Sequence, residues 1–247
     1  MKLADNTVLI TGGGTGIGLA LAERFLAAGS EVIVCGRRAD ALQAAKARHP
    51  KLHTLVADVG TEAGRIALFE QATRDFPGLN VLVNNAGIQN RGQLTGGVED
   101  WSRHQQEIAI NLEAPIHLSM LFMPHLQKQA RPVVLNVTSG LAFAPLPFAA
   151  IYSATKAALH SFTLSLRVQA AKVGVEVVEL VPPAVNTDLG GVGLHNTGAP
   201  LGEFADSVMA RIDKGELEVG FGTAEQRRRA SRDELDASLA YLAKLFP

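Results

Sequence analysis

The sequence predicts an α/β domain in which a doubly wound parallel β-sheet carries helices on both faces. Three observations predict it. Short Val/Ile/Leu runs alternate with longer helical patterns along the chain. The runs are continuous rather than alternating, as in strands buried on both faces. The 247 residues are 47% hydrophobic and only 19% charged, enough apolar material for one large core.

The elements follow in order. Thr7–Thr11 (TVLIT) reads as a buried strand, and Ile17–Ala28 as a helix with apolar residues near i, i+3, i+4 spacing. Gly29 suits the position just past that helix. Glu31–Cys35 is the second strand, and Ala39–Arg48 a helix stopped before Pro50. His53–Ala57 is the third strand, Glu62–Asp75 a helix closed by Pro77-Gly78, and Asn80–Asn84 the fourth strand. A long helical stretch runs from about Val98 to Gln129, interrupted near Asn111 and Pro115. Pro132–Val137 is the fifth strand, Tyr152–Val173 an unbroken helix and Val175–Leu180 the sixth strand. Beyond Pro182 the texture changes: Asn186–Pro200 is glycine-rich and aperiodic, and Glu203–Lys214 is helical again. Leu217–Phe221 makes a short last strand, and Ala224–Phe246 reads as one charged helix with an apolar stripe. No linker or repeat divides the chain, so residues 1–247 are expected to form a single domain with a substrate lid at about 187–214.

Composition excludes several classes. Lys plus Arg is 23 and Asp plus Glu 24, a net charge of −1, so nucleic acid is not an expected partner. Arg227-Arg228-Arg229 then reads as a solvated helix start. One cysteine, Cys35, excludes an internal disulfide, and the helical histidines His104, His117, His125 and His160 lack ligand spacing, so no metal is expected. The first apolar run, Val8–Ile10, is too short for a signal peptide, and no run approaches the roughly 18 apolar residues of a membrane span. A cytoplasmic protein with no membrane contact is expected.

The first strand runs directly into Thr11-Gly12-Gly13-Gly14-Thr15-Gly16-Ile17-Gly18, and a helix follows. Glycines let a backbone turn tightly against a pyrophosphate, and the helix N-terminus offers it unpaired N–H groups. In the first unit of a parallel sheet this marks a Rossmann-type dinucleotide site. An NAD binder usually places an acid after the second strand, to accept from the ribose 2′-hydroxyl. Here that place reads Cys35-Gly36-Arg37-Arg38. A guanidinium pairs with a 2′-phosphate, so NADP(H) is favoured over NAD(H). The plainer alternative makes these arginines solvated charges at a helix start.

Tyr152 and Lys156 stand at i and i+4, one turn apart on one helix face. An ammonium one turn from a phenol favours the phenolate and is expected to lower the tyrosine pKa, which makes the pair a candidate general acid/base. Ser139 ends the fifth strand and Asn84-Asn85-Ala86-Gly87 ends the fourth, on the sheet edge where ligands bind.

With these motifs in order, the sequence resembles the short-chain dehydrogenase/reductase family, in its compact single-domain branch, from about Lys2 to Thr187. The resemblance implies that Ser139 bonds the substrate oxygen, Tyr152 moves the proton and Lys156 binds the nicotinamide ribose. It implies that Asn111 supports a water-linked proton relay, that Asp58 and Val59 meet adenine, and that Asn85, Ala86 and Gly87 line the adenosine ribose. Thr187 would contact the carboxamide, with Pro182 and Val185 beside it, and Thr11, Gly12, Gly14, Thr15, Gly16, Ile17 and Gly18 would form the phosphate loop. One departure is Pro182-Pro183-Ala184, where the family usually has Pro-Gly. This segment resembles a subgroup of DltE-like oxidoreductases.

The implied activity is hydride transfer between NADP(H) and a small carbonyl or alcohol substrate. The alternatives are a dehydratase or epimerase using the same residues, or a non-catalytic NADPH-sensing regulator. Leu141, Phe143, Leu146 and Phe148 are expected to wall the substrate, and Asp188 or His195 to contact it. A homodimer or homotetramer is expected, with Ala158, Phe162, Ser165 and Gln169 on the outer face of the Tyr152 helix.

Overall fold

The computed structural model describes residues 1–97, 100–191, 193, 194 and 196–245. Val98, His195 and Phe246, singled out above, lie outside them. Seven strands form one parallel sheet, in the order β3-β2-β1-β4-β5-β6-β7. They are β1 (Thr7–Thr11), β2 (Glu31–Gly36), β3 (His53–Val56), β4 (Val81–Asn84), β5 (Val133–Val137), β6 (Glu176–Val181) and β7 (Glu218–Gly220). The order reverses between β1 and β4, which is the switch point where a doubly wound sheet opens a crevice.

The continuous apolar runs have a direct cause. Val8 and Ile10 of β1 and Val32 and Val34 of β2 pack on one side of the sheet. Leu9, Ile33 and Cys35 pack on the other. The first layer holds α1 (Gly16–Ala27), α2 (Ala39–Arg48) and α7 (Leu201–Asp213). The second holds α3 (Glu62–Asp75), α5 (Ala114–Leu126) and α6 (Ala150–Ala171). Each fully buried Leu or Phe contributes about 1.5–3 kcal/mol, so both layers are needed to hold the sheet.

Local chemistry sets the ends. Gly29 takes φ +90° past α1, where a side chain would be strained. Thr61 caps α3 by accepting from the Gly64 amide at 3.1 Å. The interrupted stretch resolves into α4 (Trp101–Ile108), a π-helical turn over Ala109–Glu113, and α5. Pro115 lacks the N–H that an α-helix would direct at the Asn111 carbonyl.

One expectation is corrected. The C-terminal stretch is two helices, α8 (Gly222–Arg229) and α9 (Arg232–Leu245). Ala230 and Ser231 separate them, and Ser231 caps α9, the Glu234 carboxylate accepting from the Ser231 amide at 2.7 Å and the Glu234 amide donating to Ser231 Oγ at 3.4 Å. This reciprocal S-x-x-E capping box was readable in the sequence. Within the expected lid at about 187–214, α7 packs into the core through Phe204, Val208, Met209 and Ile212, and its first residue, Leu201, lines the cleft described below. No helix among the described residues is long and apolar enough to cross a membrane.

Candidate active site

The C-terminal ends of β1, β2, β4, β5 and β6 open onto one cleft of about 1070 Å³. Every catalytic or cofactor-binding residue predicted from the sequence lines it except Thr11, Gly14 and Asn111. Each exception has a structural reason. Thr11 Oγ1 accepts from the Asn85 and Ala86 amides at 3.0 Å, so it ties β1 to the turn after β4. Gly14 turns toward Leu42 of α2, away from the cleft. Asn111 is fully buried behind it and grips Ile88 twice, accepting from its amide at 2.9 Å and donating to its carbonyl at 2.9 Å. A Cβ on Gly87 would stand 3.4 Å from Asn111 Oδ1 and 3.8 Å from Lys156 Nζ, so all three meet behind the turn.

The glycine loop is built for close approach. Gly12 takes φ +64°, and a Cβ there would come within 2.9 Å of the Ala86 backbone. Gly18 has no room either, with Asn85 and the Gly12 carbonyl against it. Thr15, at the N-cap of α1, makes no side-chain cap bond, and the first turn carries no acid. The first-turn N–H groups therefore face the cleft with the positive end of the helix dipole. Arg37 and Arg38 follow β2, and Arg38 Nη2 donates to Thr15 Oγ1 at 3.3 Å. These residues fit a nicotinamide dinucleotide: a glycine cradle, an uncapped helix end and two guanidiniums.

The proposed reacting groups converge from two elements. Ser139, just past β5, is extended (φ −170°) and accepts from the Leu141 amide at 3.1 Å. Tyr152 and Lys156 project from α6 and are 6% and 3% exposed. Lys156 Nζ lies 5.7 Å from the centre of the Tyr152 ring. Burial lowers the Lys156 pKa to about 8. Burial also pushes the Tyr152 phenol up to about 12, against the pull of the Ser139 hydroxyl and with a push from Glu107. The expected lowering of Tyr152 is thus reversed in this state, because loss of water outweighs the pull of the Ser139 hydroxyl. A buried ladder fixes this corner: Asn84 donates to Asn136, and Asn136 to Thr163 of α6, each at 2.9 Å.

Of the expected substrate wall, Leu141 and Leu146 line the cleft. Phe143 instead packs on His160 with ring centres 4.7 Å apart, and Phe148 lies under the Arg91 guanidinium at 5.0 Å. Asp188 lines the cleft. The reading of Arg227–Arg229 as a solvated helix start is corrected. They form the last turn of α8, Arg228 and Arg229 each meet Glu225 at 2.7 Å, and Arg227 enters the cleft. Sequence reasoning also missed Glu107 of α4, which is fully buried and accepts from the Asn90 amide at 3.1 Å. No cluster of metal-ligating side chains occurs among the described residues.

A family model described as short chain dehydrogenase matches residues 6–194. The chain belongs to the short-chain dehydrogenase family. It is 46% identical to the uncharacterized oxidoreductase DltE of Bacillus subtilis over 241 residues, 96% of each chain. It is 28% identical over 190 residues to an uncharacterized oxidoreductase of Staphylococcus epidermidis, 76% of this chain and 81% of the other. A Burkholderia cenocepacia short-chain dehydrogenase solved with NADP superposes with a TM-score of 0.83 at 24% identity, covering 97% of this chain and 99% of that one. A 3-ketoacyl-(acyl-carrier-protein) reductase of Brucella melitensis solved with NADH gives 0.79 at 26% identity, covering 90% and 100%. This short-chain dehydrogenase therefore shares its fold with one chain solved with NADP and with another solved with NADH.

Proposed function

We propose that the protein is an NADP(H)-dependent oxidoreductase that interconverts a small carbonyl compound and its alcohol. The observation that carries this reading is the convergence of Ser139, Tyr152 and Lys156 on the cleft lined by the glycine loop. A bound nicotinamide dinucleotide supplies or accepts the hydride. Tyr152, a neutral phenol at physiological pH, gives its proton to the carbonyl oxygen during reduction. Ser139 donates a hydrogen bond to that oxygen and orients it. Lys156 holds the ribose hydroxyls and stabilises the phenolate that proton loss leaves. Arg37 and Arg38 favour a 2′-phosphate over a bare 2′-hydroxyl, standing at the end of β2 where an NAD binder usually places an acid. Exposed Met120, Leu164 and Val168 on α5 and α6 support a homo-oligomer built on those helices, Ser165 and Gln169 sharing the exposed surface.

The test is Tyr152→Phe, assayed by NADPH oxidation over a carbonyl panel. Turnover falls by about 10²–10⁴-fold while NADPH affinity is retained. Undiminished turnover would rule out the assignment.

A further inference from the structure

Four arginines line the cleft, opposed only by Asp58 and Asp188. Arg37 and Arg38 follow β2 and serve the cofactor in the reading above. Arg91 and Arg227 remain. Arg227 is brought in by α8, which packs directly on the residue after Ser139. A Cβ on Gly140 would stand 2.9 Å from the Ala224 Cβ. Arg227 lies three residues beyond Ala224, on the same helix face. The face is decided by its neighbours: Arg228 and Arg229 both turn back to Glu225. The Arg227 side chain makes no ion pair and no hydrogen bond among the described residues.

That isolation is costly. Arg227 is half-buried, and burial lowers its pKa with no carboxylate acting the other way. A desolvated cation without a partner destabilises the protein unless something else fills the place. The cleft carries two further unsatisfied groups. Arg91 leans on the Phe148 ring, but its buried Nε has no partner. Gln89, 7% exposed, also lines the cleft with its Oε1 unpaired. The same cleft is also lined by apolar Leu141, which follows Gly140, and by Leu242.

We infer that Arg227 is a substrate-recognition residue, and that the carbonyl substrate bears an anionic group, carboxylate or phosphate, on an apolar body. The guanidinium takes either group through two parallel bonds. This inference rests on the placing of the reacting end at Ser139 and Tyr152.

Matched ligand pairs test it: benzoylformate against its methyl ester, and dihydroxyacetone phosphate against dihydroxyacetone. Each is titrated into the full chain with and without saturating NADP⁺, which passes no hydride to a ketone, so binding is read without turnover. At least one anion is expected to bind about tenfold to hundredfold more tightly than its neutral partner. The pair that shows the preference identifies carboxylate or phosphate. Arg227→Gln reduces the ratio toward one, and Arg227→Lys, which keeps the charge, retains part of it. A ratio near one for both pairs in the native protein overturns the inference, as does a ratio that Arg227→Gln leaves unchanged. Failure of the Tyr152→Phe test with this ratio intact would strike the carbonyl reduction reading alone.

Discussion

The ammonium of Lys156 donates to the main-chain carbonyl of Val137 over 2.8 Å. Val137 ends β5, two residues before Ser139, so this bond ties the helix carrying the acid/base pair to the strand carrying the hydroxyl. It is also the only hydrogen bond of that ammonium among the described residues, and water is largely excluded. Burial therefore lowers the Lys156 pKa from 10.5 to about 8. A lowered folded-state value means that the unfolded chain binds more protons between the two. Stability then rises with pH across that window, by about 1.4 kcal/mol per unit from this group. Urea unfolding of the native protein and Lys156→Met at pH 8 and pH 10 checks this: the native protein gains relative to the variant. An unchanged difference would refute it.

Tyr152 titrates late for the same reason. In the cofactor-free protein, the difference in tyrosinate absorbance between the native chain and Tyr152→Phe is expected to develop with a midpoint of about 12. A midpoint at or below the ordinary value of 10 would show that Lys156, not burial, sets the phenol.

Arg37→Asp exchanges a cation for the acid that accepts from a 2′-hydroxyl. NADPH affinity is expected to fall about tenfold to hundredfold, with NADH affinity holding or rising. Fluorescence titration with both nucleotides decides it, and equal losses for the two would remove Arg37 from 2′-phosphate recognition.

His160 Nδ1 lies 2.9 Å from both oxygens of Glu179, whose side chain is fully buried and also accepts from Thr138 Oγ1 at 2.7 Å. The Glu179 bond raises the His160 pKa above 6.5, against the effect of burial. A raised value gives a stabilising contribution that is complete below about pH 6.5 and is lost as the pH climbs through the folded-state pKa. Thermal melts of the native protein and His160→Ala should show a gap that narrows across that range. A gap independent of pH would mean that His160 acts by packing on Phe143 alone.

The exposed stripe of Met120, Leu164 and Val168 predicts self-association. Light scattering at micromolar concentration should give a multiple of 26.1 kDa, and Val168→Glu should reduce it. A native mass of 26.1 kDa would count against the oligomer.

The glycine loop and the Tyr152–Lys156 pair were legible in the sequence because each depends on backbone needs or spacing within one element. Gly12 is required by its own φ, and the i, i+4 pair by helix geometry. Arg227 was not legible. Three consecutive arginines look alike until the docking of Ala224 on Gly140 decides which one faces inward. The Tyr152 pKa was misread for a related reason: spacing reports the neighbouring charge, while burial depends on how α6 seats against β5. Phe143 belongs to the same class, since only tertiary packing sends it to His160 rather than to the cleft.

The π-helical turn over Ala109–Glu113 has a consequence for how this chain can vary in length. Such a turn holds one residue more than an α-helix accommodates. The turn takes that residue up locally, so deleting one residue there would let the segment rewind as α-helix with α4 and α5 near their present faces, whereas the same deletion inside α4 would turn everything before it by about 100°. Asn111, which grips Ile88, sits in the turn itself, and Glu107, which accepts from Asn90, sits just before it. The turn is thus a place where the chain can lose a residue without rotating Glu107 away from Asn90, and what it puts at stake is the Asn111 grip on Ile88.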